Sequence, residues 1–166
     1  GGTSGIGRAM VDGFVQAAAF RFKAPLISLI PLPLYALTGP TYEAARLANL
    51  PALCLLAASL YGLGRRFFSP AAGALAAAFA VTLPMLTALS RLYFVEAWLT
   101  AFSAAFLWRW AESEALKDGA EAPGLGALAG LGLLTKVLFP LAVLGPVALT
   151  LRERRASWAE LERPLK

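Results

Sequence analysis

Long apolar stretches separated by short basic clusters constrain this chain more than any other feature. Leu47–Gly64 and Phe67–Ser90 carry no charge, Leu92–Trp108 carries Glu96 alone, and Val137–Leu151 carries none. Such stretches match transmembrane helices, because about 20 residues rising about 1.5 Å each cross a hydrocarbon core of about 30 Å. A soluble domain of 166 residues would have to leave several of these surfaces in water. Charged residues make up only 15% of the chain, against roughly 25% in ordinary soluble domains. The expected fold is all-α, a multispanning transmembrane helical bundle.

The rest of the composition agrees. Fifteen Gly and eleven Pro would break soluble helices, but membrane bundles tolerate both because neighbouring helices satisfy the freed backbone groups. The net charge of +5 is placed at the ends of the apolar stretches, where basic residues set orientation and meet anionic headgroups. Membrane lipids are therefore the expected partners, and nucleic acid is not. Cys54 is the sole cysteine, so it makes no intrachain disulfide, and the absence of histidine removes His-based catalysis and His-metal sites.

The basic clusters are Arg65-Arg66, then Arg109 with Lys117, then Arg152, Arg154 and Arg155. The positive-inside rule places all three in the cytoplasm. Leu47–Gly64 then runs inward, Phe67–Ser90 returns, and Leu92–Trp108 runs inward again. The stretch 124–151 must go out and come back, and it is short for that and interrupted by Lys136 and Pro140. Two short or broken helices with Thr135-Lys136 at the outer turn fit it. Pro25–Thr38, with three prolines, reads as an interfacial or re-entrant helix on the outer face. The expected organisation is a glycine-rich loop and amphipathic helix over 1–19, an outer-face loop over 20–43, a transmembrane bundle over 44–151, and a cytoplasmic basic tail over 152–166.

In this topology Lys23, Arg91, Glu96 and Lys136 converge on the outer side. Charges at membrane depth cost a few kcal/mol, so they usually face a cavity and serve a function. Glu96 lies about one helical turn from Arg91, so its carboxylate can face a polar cavity; the alternative is a structural ion pair with Arg91 or Lys136. Lys136 can also snorkel at a helix end, and Arg46 and Arg91 can be interfacial anchors. Three cations beside one carboxylate suit an anionic ligand such as a phosphate carried on a lipid.

Several segments resemble one enzyme group. Phe22-Lys23-Ala24-Pro25-Leu26 followed by Leu32-Pro33-Leu34-Tyr35-Ala36-Leu37-Thr38-Gly39 is similar to a Lys-Pro-Pro-Leu-x-x-x-Leu…Gly stretch. Arg46-Leu47 through Gly64-Arg65-Arg66-Phe67-Phe68 resembles the first membrane hairpin of the same group. Ser90-Arg91 through Glu96 is similar to its Ser-Arg-x-x-x-x-Asp turn, with Glu for Asp, and Gly130-Leu131 through Thr135-Lys136 resembles its Gly-Leu-x-x-Leu-Thr-Lys signature. The group is the membrane-embedded glycosyltransferases of family 39 and their aminoarabinose-transferase-like relatives. The resemblance implies a multi-pass protein of the bacterial inner membrane that takes a sugar from a polyprenyl-phosphate donor on the outer face. By the same resemblance, Lys23 neutralises the donor phosphate; Arg91 and Lys136, converging on the same side, are the further substrate-binding candidates. Glu96 is the catalytic candidate, in an acidic pocket near the acceptor or a divalent ion. No nucleotide cofactor is expected. The family's main catalytic acid is expected upstream of Gly1, so the sequence reads as a fragment expected to be inactive by itself.

Two alternatives stand beside this reading. Short broken helices around Lys136 also suit a transporter-like bundle without catalysis. Gly1-Gly2-Thr3-Ser4-Gly5-Ile6-Gly7-Arg8 resembles the phosphate loop of short-chain dehydrogenases, in which glycines let the backbone approach a pyrophosphate. Neither an acidic residue between Asp12 and Glu43 nor a Tyr-x-x-x-Lys pair follows it, so an NAD(P) remnant, or a join of unrelated sequence near residue 19, is the least favoured reading.

The topology makes a direct prediction. Cysteine-accessibility labelling should find position 66 on the cytoplasmic side and position 91 on the opposite side. Labelling of both from one side would mean that 67–90 does not cross.

Overall fold

The computed structural model describes residues 25–84, 88, 92, 94–114 and 121–161, with side chains described as far as 153. The glycine loop at 1–8, Lys23, the Ser90-Arg91 turn, Lys117 and the end of the basic tail lie outside the described residues. Every regular element among the described residues is a helix. They are α1 (Leu26–Leu29), α2 (Leu32–Thr38), α3 (Tyr42–Leu47), α4 (Leu50–Phe67), α5 (Pro70–Thr82), α6 (Val95–Glu112), α7 (Ala122–Thr135) and α8 (Phe139–Leu161).

Local chemistry explains where these helices start and stop. Thr41 and Ser69 cap α3 and α5 by accepting from the backbone N–H groups of Ala44 and Ala72, at 3.2 and 3.1 Å. Pro70 takes the first turn of α5, where its missing N–H costs nothing. Gly39 closes α2 at φ +82°, a left-handed conformation that a β-carbon would strain. The uncharged run 67–90 is not one helix. It ends at Thr82, and Leu83 turns to ψ 124°, because Pro84 disfavours the helical conformation of the residue before it. The thirteen residues of α5 rise about 20 Å, less than a hydrocarbon core of about 30 Å.

Among the described residues, α3 and α4 form the one helical stretch, Tyr42–Phe67, that is long and apolar enough to cross a membrane. α4 packs on α5 and on α6, α6 on α7, and α8 against both α6 and α7. Small side chains make the α4–α6 contact close. Ala52 and Leu56 of α4 meet Ala101 and Ala104 of α6, and Ala97, Ala101 and Ala105 recur at a four-residue spacing that lets helix backbones approach. A second apolar cluster joins Phe102 of α6 to Phe139 and Val143 of α8, with Leu26 of α1 and Leu128 and Leu131 of α7 around it. Phe106 meets Phe139 edge-on at 5.9 Å, and a β-carbon at Gly132 would run into the Phe139 ring.

The directions of the helices follow from these contacts. Gly62 lies under Trp108 and Arg66 reaches Glu114, so α4 and α6 run parallel. Lys136 reaches Glu96 and Arg109 reaches Glu121, so α7 runs antiparallel to α6. The charges therefore fall at two ends. Glu43, Arg46, Glu96 and Lys136 stand at one, and Arg65, Arg66, Arg109, Glu112, Glu114 and Glu121 at the other. Leu37, Val137 and Leu141 of the apolar surface between or beside them are at least 74% exposed, a surface that only an apolar surrounding would cover without cost.

The α4–α5 hairpin closes on two glycines. A β-carbon at Gly64 would collide with the Cα of Gly73, and one at Gly73 would come within 2.5 Å of the Tyr61 carbonyl oxygen. Gly73→Leu should therefore destabilise the bundle by roughly 1–3 kcal/mol. Gly126→Leu, where nothing lies within 4 Å, should not. Thermal melts in detergent followed by size-exclusion chromatography separate the two. Equal midpoints would mean that the helices do not cross this closely.

Candidate functional site

The site grows out of two helix ends. Glu96 is in the first turn of α6, after Phe94 in extended backbone, so the positive end of the helix dipole faces its carboxylate. Lys136 is the residue at which α7 stops, at φ −162° and ψ 135°, beside the negative end of that helix. Thr135, 1% exposed, is held inside by its hydroxyl donating to the Leu131 carbonyl at 2.7 Å. The chain then reverses, and Pro140 sits in the first turn of α8, where proline is tolerated. The helix breaks where Lys136 and Pro140 interrupt the apolar sequence.

Antiparallel packing of α6 and α7 brings the two residues together. Lys136 Nζ donates to Glu96 Oε1 at 3.0 Å, with both side chains a little more than one-third exposed. The other carboxylate oxygen, Oε2, is buried and has no hydrogen-bond partner among the described residues. The indole Nε1 of Trp98, two residues on, is also buried without a partner. The carboxylate thus spends one oxygen on a lysine and keeps the other buried, without a partner among the described residues. Lys136 Nζ has three donor hydrogens, of which Glu96 takes one.

Of the residues singled out from sequence, the structure joins Glu96 and Lys136, and the ion pair named as an alternative role for Glu96 does form. Lys23 and Arg91 lie outside the described residues. Arg46 is held by Glu43 at 2.9 Å on the surface of α3. Among the described residues no cluster of three or more His, Cys, Asp or Glu side chains forms. A divalent ion needs several oxygens, so the described residues alone do not make a site for one.

The opposite end has its own charged network, centred on Arg109. Its guanidinium bonds Glu112 at 3.2 Å and also Glu121, the residue preceding α7. Trp110 Nε1 donates to Thr150 Oγ1 at 2.9 Å, tying α6 to α8. In the sequence Arg109 stood out only as part of a basic cluster with Lys117, not as the hub of this network. The signal available was the placement of an arginine within a turn of the last apolar residues of α6.

Residues 14–161 match the family described as dolichyl-phosphate-mannose-protein mannosyltransferase. The match spans most of the chain, so the chain belongs to this family of membrane glycosyltransferases. No curated protein and no solved structure matches it significantly.

The ion pair should show as energetic coupling. Glu96→Gln and Lys136→Met, singly and together in a double-mutant cycle of unfolding, should give a coupling of about 0.5–1 kcal/mol, the upper range for partly exposed pairs. Additive effects would mean that the two charges do not meet in solution.

Proposed function

We propose that this chain works in a multi-pass membrane glycosyltransferase that moves a sugar from a polyprenyl-phosphate donor to an acceptor on the outer face of the membrane. Family membership supports a sugar-transfer activity. The observation that carries the finer reading is the Glu96–Lys136 pair with Oε2 turned inward, at one end of a bundle whose middle holds no charge.

The chemistry follows from what each group has left to offer. Transfer breaks the bond between the anomeric carbon and the phosphate oxygen, and the electron pair leaves with the phosphate. A hydroxyl oxygen of the acceptor forms the new bond to that carbon and gives up its proton. Lys136 has donor hydrogens to spare beyond Glu96 and neutralises the phosphate as it leaves. Glu96 is the carboxylate in the same place, its Oε2 without a hydrogen-bond partner among the described residues; once the acceptor hydroxyl reaches it, it orients that hydroxyl and receives its proton. Lys23, just before the short proline-bounded helices α1 and α2, and Arg91 complete the cationic surface for the phosphate. The contact of α1 with α7 brings the segment that follows Lys23 to the helix that ends at Lys136.

The lysines give the test. A charge-assisted hydrogen bond to phosphate contributes roughly 1.5–3 kcal/mol, or about 10- to 150-fold in affinity. Lys23→Ala in the full-length enzyme that contains this chain should raise KM for the polyprenyl-phosphate sugar by about that factor and leave KM for the acceptor nearly unchanged. Lys23→Arg should recover part of the loss, since charge is kept while geometry changes. Lys136→Met should act on the donor in the same direction. Unchanged donor dependence in both variants would make these lysines interfacial anchors and remove the donor site from this end.

A further inference from the structure

A groove of about 560 Å³ runs between α4 and α5, walled by Leu60, Leu63, Phe67 and Phe68 on one side and Ala72 and Ala76 on the other. Gly64 lines its floor, beside the close crossing with Gly73 that draws the two helices together. No polar side chain lines it, so a sugar or phosphate lying in it would lose its hydrogen bonds. Phe67 and Phe68 stand 64% and 83% exposed at its end. Between Gly64 and Phe67, in the same turn, stand Arg65 and Arg66.

These arginines are weakly engaged. Arg65 lies over the Tyr61 ring, 6.0 Å from its centroid, and among the described residues it forms an ion pair with no carboxylate. Arg66 meets Glu114 at 3.5 Å with both side chains about half exposed, a pair that solvent largely screens. A ligand for this place is therefore apolar where it lies and anionic at its head. It is not the sugar donor reacting at Glu96. That carboxylate opens α6, whereas Arg66 reaches Glu114 past the other end of the same helix. The sixteen residue steps from Glu96 to Glu112 rise about 24 Å.

We propose that the α4–α5 groove is a binding site for an anionic phospholipid of the leaflet opposite the sugar-transfer end, one acyl chain lying in the groove and the phosphate meeting Arg65 and Arg66. The proposal rests on the membrane placement of the bundle given above and not on its catalytic chemistry. Each basic residue at an anionic membrane surface contributes about fivefold to partitioning, roughly 1 kcal/mol, so the two arginines together account for about 25-fold.

The full chain in phosphatidylcholine nanodiscs, with a trace of phosphatidylglycerol bearing a photoactivatable acyl chain, tests it. Crosslinks should concentrate in the peptides spanning 60–76. Unlabelled phosphatidylglycerol should compete, and added phosphatidylcholine at the same mole fraction should not. Arg65→Gln with Arg66→Gln should lower the yield about 10- to 30-fold. Ala76→Phe, at an exposed position on the groove wall, should lower it with both arginines present; if its helix content falls, Leu63→Trp on the facing wall replaces it. Equal competition by phosphatidylcholine, or crosslinks spread evenly over the chain, would overturn the site. Stronger competition by polyprenyl phosphate than by phosphatidylglycerol would assign the groove to the donor's chain and overturn it equally. Capture of the probe by a variant that has lost sugar transfer separates this site from the catalytic reading, and a chain that leaves the bilayer would overturn both.

Discussion

A charge at the mouth of an apolar bundle has to be neutralised where it stands, and the contact between Glu96 and Lys136 does this at 3.0 Å. The rest of the arrangement depends on it. The pair requires α6 to begin where α7 ends, which makes the two helices antiparallel and places Arg109 beside Glu121 at the far end. Each partner also sits at the helix end whose dipole favours its charge. Between the two charged layers the described helices carry no ionised side chain, and polar groups such as Ser59 on α4 and Ser103 on α6 are buried, so the charges stand at the two edges of a largely apolar surface.

Close packing supplies the remaining geometry. Without a hydrophobic force between helices in lipid, association comes from close contact of small residues. Ala52 against Ala101, Gly64 against Gly73 and Gly132 under Phe139 are the places where this chain achieves it. The first contact holds α6 on α4. The third turns the chain sharply after Lys136, so that α8 returns over α6 and Trp110 finds Thr150. The site at the ends of α6 and α7 is thus held by packing far from it.

Much of this was legible in the sequence, for physical reasons that can be named. Helical character, the break at Lys136 and the basic turn at Arg65-Arg66 follow from apolar run length, from proline and from interrupting charges. Glu96 and Lys136 stood out because an isolated charge in an apolar run is expensive. Their pairing was left open, since the residues are 40 positions apart and only the α6–α7 contact joins them. The run 67–90 was read as one helix because charge was the criterion, and the local effect of Pro84 on Leu83 shortened it. The glycines at 64 and 73 were hidden among fifteen of their kind, because close approach depends on a partner helix that sequence spacing does not specify.

Sugar transfer by the Glu96→Gln variant is the most direct test of the account. The substitution keeps the shape of the side chain but removes its charge, the ion pair with Lys136 and most of the basicity of the inward-facing oxygen. With polyprenyl-phosphate sugar as donor and the full-length enzyme that contains this chain in membranes, transfer should fall at least about 100-fold, the lower range for loss of a positioned general base. The amount of protein in the membrane should stay the same. Transfer at the unaltered rate, or a loss of membrane protein with the rate per molecule unchanged, would contradict the account and leave Glu96 as a structural partner of Lys136.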